Sequence, residues 1–171
     1  MTFVVRAALS WHAFDMPEHA MQTIAFRPTG AQSPYEQYLE RLGRFLSAKV
    51  RTGADLATLA NDRLPVDILE RLLAAGLSWE EITFIIPRRT LSHRREKGQS
   101  LTVGESDKAI RLARILAQAA NTFGDMERGL RWLRSRQQRL GGVAPLTLAG
   151  TEQGARLVEE QLVQIDEGYF A

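Results

Sequence analysis

Three helix-start motifs, spread along the chain, constrain its fold more than any other feature of the sequence. Each is a capping box, in which a serine or threonine hydroxyl accepts a hydrogen bond from a backbone amide three residues later. A glutamate at that later position accepts one from the cap residue in return. Strand signals are nearly absent, so the sequence predicts an all-α fold. The three boxes are Ser33 with Glu36, Ser78 with Glu81, and Thr102 with Glu105.

Apolar residues at helical spacing follow these starts and set the predicted helix lengths. The segment from Pro34 to Lys49 has an apolar face that includes Tyr35 and Tyr38, and Gly53 is expected to close it. A longer helix with a broad apolar stripe is predicted over residues 103–122. The remaining predicted boundaries are Asp125 and Thr151 as helix starts, and Gly124, Gly141, Gly142 and Gly168 as stops or turns.

The middle of the chain, near residues 66–98, has the order of elements of a helix-turn-helix. A helix that Gly76 ends is followed by a short capped helix over residues 78–86, and Pro87 then separates this brace from a short basic helix. In a helix-turn-helix the second helix lies in the major groove, while the first helix braces it. Leu91 is expected to point into the core. The predicted DNA-contacting residues are Arg88, Arg89, Thr90, Ser92, His93, Arg94, Arg95 and Lys97.

Charge is distributed unevenly between the middle and the end of the chain. Residues 88–97 contain five basic residues and one acidic residue, whereas residues 151–171 contain one basic residue and five acidic ones. A basic middle suits a polyanion such as DNA, and an acidic end suits a different, basic partner. The alternative is two solvated faces without partners, because short helical units with basic surfaces also occur in proteins that never touch DNA.

Composition argues against an enzyme and against a bound cofactor. The sequence has no cysteine and only three histidines, and no pair of these histidines has metal-ligand spacing. No set of nucleophile, base and orienting residue can be assembled from its motifs. No apolar run is long enough to span a bilayer. The absence of cysteine fits a reducing compartment, so a cytoplasmic location without membrane contact is expected.

The C-terminal half carries a series of short motifs in a characteristic order. They are Phe123-Gly124-Asp125, Trp132-Leu133, Leu140-Gly141-Gly142, Pro145-Leu146, Thr151-Glu152-Gln153-Gly154-Ala155 and Gly168-Tyr169-Phe170-Ala171. Residues 123–171 resemble the toxin-binding domain of antitoxins of the Xre/MbcA/ParS family. Residues 85–116 resemble the junction between the two domains of those proteins.

This resemblance implies a division into two functional parts. A Cro-like DNA-binding domain is expected over residues 33–101 and a small helical toxin-binding domain over 102–171, after an N-terminal arm (1–32) of uncertain structure. The antitoxin would neutralise a cognate toxin of the RES type, which consumes NAD, and would repress its own operon by binding operator DNA. A homodimer or a larger complex with the toxin is expected. The alternative is a stand-alone helix-turn-helix regulator with a helical dimerisation domain.

The expected toxin contacts lie on the last helix and at its end. The family resemblance implies that the extreme C-terminus covers the NAD cleft of the toxin. A cleft that holds phosphates is expected to contain arginines, which an acidic helix could meet. Two terminal aromatic side chains are suited to burial, worth roughly 1.5–3 kcal/mol each, although docking onto the protein's own core is the alternative. The expected residues are Glu159, Leu162, Asp166, Glu167, Gly168, Tyr169, Phe170 and Ala171.

Overall fold

A computed structural model of the protein describes residues 32–168, so the expected arm (1–32) lies outside it except for Gln32, as do residues 169–171. The regular structure of the described residues is helical, apart from one isolated antiparallel bridge between Gln137 and Val143. The all-α prediction is therefore confirmed. The helices are α1 (Pro34–Leu46), α2 (Gly53–Asn61), α3 (Asp67–Ala74), α4 (Trp79–Ile82), α5 (Arg88–Glu96), α6 (Val103–Thr122), α7 (Met126–Arg134), α8 (Pro145–Leu148) and α9 (Glu152–Asp166), with a 3-10 turn at Gln138–Leu140.

The predicted helix starts are formed by the expected hydrogen bonds. At α1, the backbone amide of Glu36 donates to Ser33 Oγ at 3.1 Å, and the Ser33 amide donates to Glu36 Oε2 at 2.7 Å. Thr102 begins α6 with the same reciprocal pair of bonds. Asp125 begins α7, where its carboxylate accepts a hydrogen bond from a backbone amide three residues later. Thr151 begins α9 in the same way through its hydroxyl oxygen. These side chains satisfy amides that have no partner within the helix.

The region between α1 and α2 differs from the prediction. The first helix ends at Leu46 rather than Lys49, because Ser47 adopts a left-handed conformation with φ of 49°. The chain then passes close over Gly43, where a Cβ atom would lie 2.8 Å from the Ala48 carbonyl oxygen. The expectation that Gly53 closes a helix is wrong, since Gly53 is the first residue of α2.

Helix α6 is the central element of the core. Ten of its 20 residues are buried, and it packs against α1, α2, α7 and α9. A close approach between α7 and α6 requires a glycine, since a Cβ on Gly129 would lie 3.0 Å from backbone atoms of Ala119 and Ala120. The start of α6 is tied to the segment after α2, because buried Ser106 Oγ accepts from the Leu64 amide at 2.9 Å.

Helix α6 also connects the two parts of the chain that were assigned different functions. Residues 32–168 lie in one compact unit, and α6 packs against α1 and α2 from the first part and against α7 and α9 from the second. The boundary between residues 101 and 102 therefore stays a prediction about function.

None of the helices in the described part of the chain is long and apolar enough to cross a membrane.

Candidate functional site

The predicted order of elements in the middle of the chain is confirmed, with a shorter brace. Helix α4 comprises only residues 79–82, and the chain up to Pro87 continues through turns. Three isoleucines of this segment are nevertheless buried, so it still packs into the core. The Ser78 amide donates to Glu81 Oε2 at 2.7 Å, as the capping motif predicts. The buried isoleucines are Ile82, Ile85 and Ile86.

Helix α5 turns nearly all of its surface outward. Leu91 is its one buried residue, as the sequence predicted. Thr90 is half-buried. The Ser92 hydroxyl donates to the Arg88 carbonyl at 3.2 Å, and the Arg88 guanidinium lies 5.7 Å from the centre of the Trp79 ring. The exposed members of the predicted DNA-contacting set are Arg88, Arg89, Ser92, His93, Arg95 and Lys97.

Arg94 differs from the other basic residues of α5. Its side chain is only 15% exposed and forms an ion pair with Glu105 near the start of α6. We therefore place Arg94 as a link between α5 and α6 rather than among the DNA contacts. Arg95 also has a partner, since its Nη2 lies 2.7 Å from Glu70 Oε1, but that pair is well exposed.

The environment of Glu105 stabilises its charged form. Partial burial acts to raise the pKa of this carboxyl, but hydrogen bonds from Arg94 and from the Thr102 amide outweigh burial and hold the pKa below its ordinary value. Glu105 thus performs two tasks, capping α6 and fixing α5 against it. A link of this kind sets the angle at which the basic helix is presented.

Helix α9 is embedded in the core along one side. Val158 and Leu162 have no exposed surface. Leu162 was expected to contact a toxin, but in this structure its side chain is covered by the protein's own core, so it is withdrawn from the expected contacts. A close contact with α8 requires a glycine at 154, where a Cβ atom would lie 2.2 Å from the Leu148 carbonyl oxygen. Only the outer side of α9 and its end are open to a partner.

Glu159 joins α9 to α6. Arg114 Nη2 lies 2.7 Å from Glu159 Oε2, and Gln118 Nε2 donates to the Glu159 carbonyl at 3.3 Å. Burial raises the pKa of the Glu159 carboxyl even though the Arg114 charge acts to lower it. The side chain is 18% exposed. Of the expected toxin contacts, Glu159 therefore acts mainly as an internal tie.

The end of α9 presents the remaining described residues of the expected toxin-binding set. Asp166, Glu167 and Gly168 are all exposed, and Gly168 ends the helix with a φ of 74°. This left-handed conformation suits glycine, which has no Cβ to clash. The other three residues of the set, Tyr169, Phe170 and Ala171, lie outside the described part of the chain.

A groove between α1 and α9, about 410 Å³ in volume, was not anticipated from the sequence. Tyr35 was predicted on the apolar face of α1, yet 61% of its surface is exposed at this groove, and Val163 of α9 is 44% exposed across from it. The rings of Tyr35 and Tyr38 lie 6.1 Å apart. The groove is lined by Pro34, Tyr35, Tyr38, Gln118, Asn121, Thr122, Val163, Asp166 and Glu167.

A second cleft, about 650 Å³ in volume, adjoins this groove and is polar. It contains the Arg114–Glu159 pair, together with Glu152, which lies 3.1 Å from Arg156 Nε and 3.0 Å from Arg111 Nε. Within the described residues, no group of three or more histidine, aspartate or glutamate side chains is arranged to hold a metal ion. The cleft offers ion pairs between α6 and α9, which hold these helices together.

Comparisons with known proteins agree with the motifs of the C-terminal half. The family model of the antitoxin Xre/MbcA/ParS C-terminal toxin-binding domain matches residues 118–168, from the end of α6 to Gly168. An Antitoxin Xre of Pseudomonas putida is 38% identical over 154 residues, which cover 89% of this chain and 94% of that protein. An Antitoxin Xre of Yersinia enterocolitica is 31% identical over 151 residues, covering 86% and 99% respectively.

Proposed function

The chain belongs to the Xre antitoxin family, and on this premise we propose that it neutralises a cognate toxin by binding it directly. The match of residues 118–168 to a toxin-binding domain is the observation that carries this proposal. That region includes α9, whose end leaves Asp166, Glu167 and Gly168 exposed. Neutralisation by binding requires no catalytic group in the antitoxin itself.

The mechanism we propose is obstruction of the toxin's active site by residues 168–171. The toxin is proposed to be a RES-type, NAD-consuming protein, whose substrate pocket must hold two phosphates and therefore carries cationic side chains. Asp166 and Glu167 are exposed at the end of α9, so their charges are available to such a pocket. Gly168 ends α9 in a left-handed conformation, and Tyr169 and Phe170 are the proposed apolar anchors.

We further propose that the protein represses its own operon through α5. The exposed cations Arg88, Arg89 and Lys97 suit contacts with phosphates and guanine bases. Buried Leu91 and the ion pair of Arg94 with Glu105 hold the helix in place. Operator binding by a dimer, alone or within a larger complex with the toxin, would pair two such helices. A stand-alone regulator is the weaker alternative, because the relatives that cover most of this chain are antitoxins.

Growth of cells that co-express the toxin tests neutralisation. The toxin to use is the product of the gene adjacent to the one encoding this chain. The full chain is expected to restore growth, and a chain lacking residues 168–171 is expected to lose most of that protection. Val103→Ala serves as a control variant, since this residue is 39% exposed on α6 and lies outside the matched residues 118–168. Full protection by the shortened chain would contradict the obstruction mechanism.

A further inference from the structure

We propose that α1 forms part of the toxin-docking surface, and that the groove between α1 and α9 receives an apolar side chain of the toxin flanked by a basic one. The inference rests on the proposed function, because it names further contacts to the same partner. The matched toxin-binding domain begins at residue 118 and does not include α1. The anchors we assign are Tyr35 of α1 and Val163 of α9.

The apolar character of the groove supports this assignment. Five large hydrophobic side chains are exposed in the described part of the chain, and two of them, Tyr35 and Val163, lie at this groove. Tyrosine combines a large apolar ring with a polar tip and is enriched at protein interfaces. Tyr35 is 61% exposed, so a partner that covers its ring would remove substantial apolar surface from water.

The α1 wall of the groove is held in place by packing against α6 and by a hydrogen bond to the turn that follows α6. Leu42 and Leu46 are buried in the core, and Arg41 Nη2 donates to the Gly124 carbonyl at 3.4 Å. Tyr38 interacts with Arg114, the residue that also pairs with Glu159, and burial raises the pKa of its hydroxyl. A fixed wall costs little conformational entropy when a partner binds.

Charge and position favour the toxin over a second copy of this chain. Among the residues that the structure describes, the groove contains two carboxylates, Asp166 and Glu167, and no basic residue. A symmetric contact between two copies would bring the same carboxylates toward each other, which is unfavourable. The proposed toxin would need cationic groups around its cleft to bind the phosphates of NAD. The groove is also continuous with the end of α9, so a toxin seated there meets both surfaces.

Substitution at the two anchors tests this inference by titration of the purified full chain with the purified toxin. Tyr35→Ala is expected to raise the Kd about 10- to 100-fold, as truncation of an aromatic anchor does. Tyr35→Phe keeps the ring and is expected to stay within about threefold of wild type. Val163→Ala is expected to weaken binding by a smaller factor. Its matched control is Val103→Ala, because Val103 is 39% exposed on α6 outside the groove.

The same titrations include the chain lacking residues 168–171, so that two failures can be told apart. If Tyr35→Ala binds the toxin like wild type while the shortened chain binds weakly, the α1 contact is overturned and the proposed function stands. If neither change alters toxin binding, the α1 contact and the obstruction by residues 168–171 both fail, while direct binding of the toxin stands. If wild type itself does not bind the toxin, the proposed function fails. If Tyr35→Ala reduces self-association in sedimentation without altering the toxin Kd, the groove belongs to a second copy and the inference is overturned.

Discussion

Helices α5 and α9, which carry the two proposed binding surfaces, are attached to α6 in different ways. Helix α5 buries one residue, Leu91, and is tied to α6 by the polar pair of Arg94 and Glu105. Helix α9 buries five of its 15 residues and shares the core with α6. A helix that contacts DNA needs most of its surface free for the polyanion, whereas α9 can offer only its outer side and its end.

The two ion pairs on these attachments also differ in electrostatic character. Hydrogen bonds outweigh burial at Glu105 and lower its pKa, while burial outweighs the Arg114 charge at Glu159 and raises its pKa. The charged form is therefore favoured by folding at Glu105 and disfavoured at Glu159. The pair of Arg94 with Glu105 thus stabilises the attachment of α5 to α6. The pair of Arg114 with Glu159 does not compensate for the burial of its carboxylate, and apolar packing holds α9 against α6.

Removal of core packing under α9 should have the largest effect on stability. Leu162→Ala deletes a fully buried side chain and is expected to lower the free energy of unfolding by about 2–5 kcal/mol. Leu157→Ala is the matched control on the same helix, because Leu157 is 50% exposed and its loss should cost under about 1 kcal/mol. Urea denaturation measures both. Equal losses of unfolding free energy in the two variants would mean that the buried side of α9 does not hold this helix in the core.

Loss of the ion pair between Arg94 of α5 and Glu105 of α6 should have an intermediate effect on stability. Arg94→Met leaves the partly buried Glu105 carboxylate without its cation and is expected to cost about 1–3 kcal/mol. Arg95→Met removes a well-exposed pair with Glu70 and should cost about 0–1 kcal/mol. The same urea titrations apply. A larger loss for Arg95→Met than for Arg94→Met would refute the role of Arg94 as the link to α6.

The smallest expected effect is the pH dependence of the contributions that Glu105 and Glu159 make to the free energy of unfolding. The stabilisation from Glu105 is present above its ordinary pKa of 4.5 and should be lost as pH falls through the lower pKa of the folded state. At Glu159 the folded pKa is raised, so a destabilising contribution should grow as pH rises above 4.5. The stability advantage of wild type over Glu105→Gln should therefore increase with pH, and that over Glu159→Gln should decrease. Slopes of the same sign would contradict this account.

Local signals in the sequence predicted much of this fold. Capping residues mark where α1, α6, α7 and α9 begin, and the bounds of α6 are those that its apolar stripe predicts. Helix α2 was missed because its cap uses Asp55 in place of glutamate, and because Gly53 was interpreted as a stop. A short helix with a weak start signal depends on tertiary packing, which a sequence pattern does not contain.

The candidate sites were predictable only as far as they depend on local pattern. The basic surface of α5 is visible in the sequence, but the pairing of Arg94 with a residue of the next helix depends on how α5 and α6 pack. The apolar spacing of α9 predicted a buried stripe, yet it could not say whether the core or a partner covers Leu162. The exposure of Tyr35 at a groove arises because α1 and α9 both pack against α6 and leave a space between them.

The separation of DNA binding by α5 from toxin binding by the C-terminus is tested most directly by measuring both affinities on two variants, one altered in α5 and one shortened at the C-terminus. We predict that Arg89→Ala combined with Lys97→Ala weakens operator DNA binding about tenfold or more at fixed salt while the toxin Kd stays unchanged. For the chain lacking residues 168–171 we predict a weaker toxin Kd and unchanged DNA binding. Loss of toxin binding by the α5 variant, or loss of DNA binding alone by the shortened chain, would contradict the separation of the two functions.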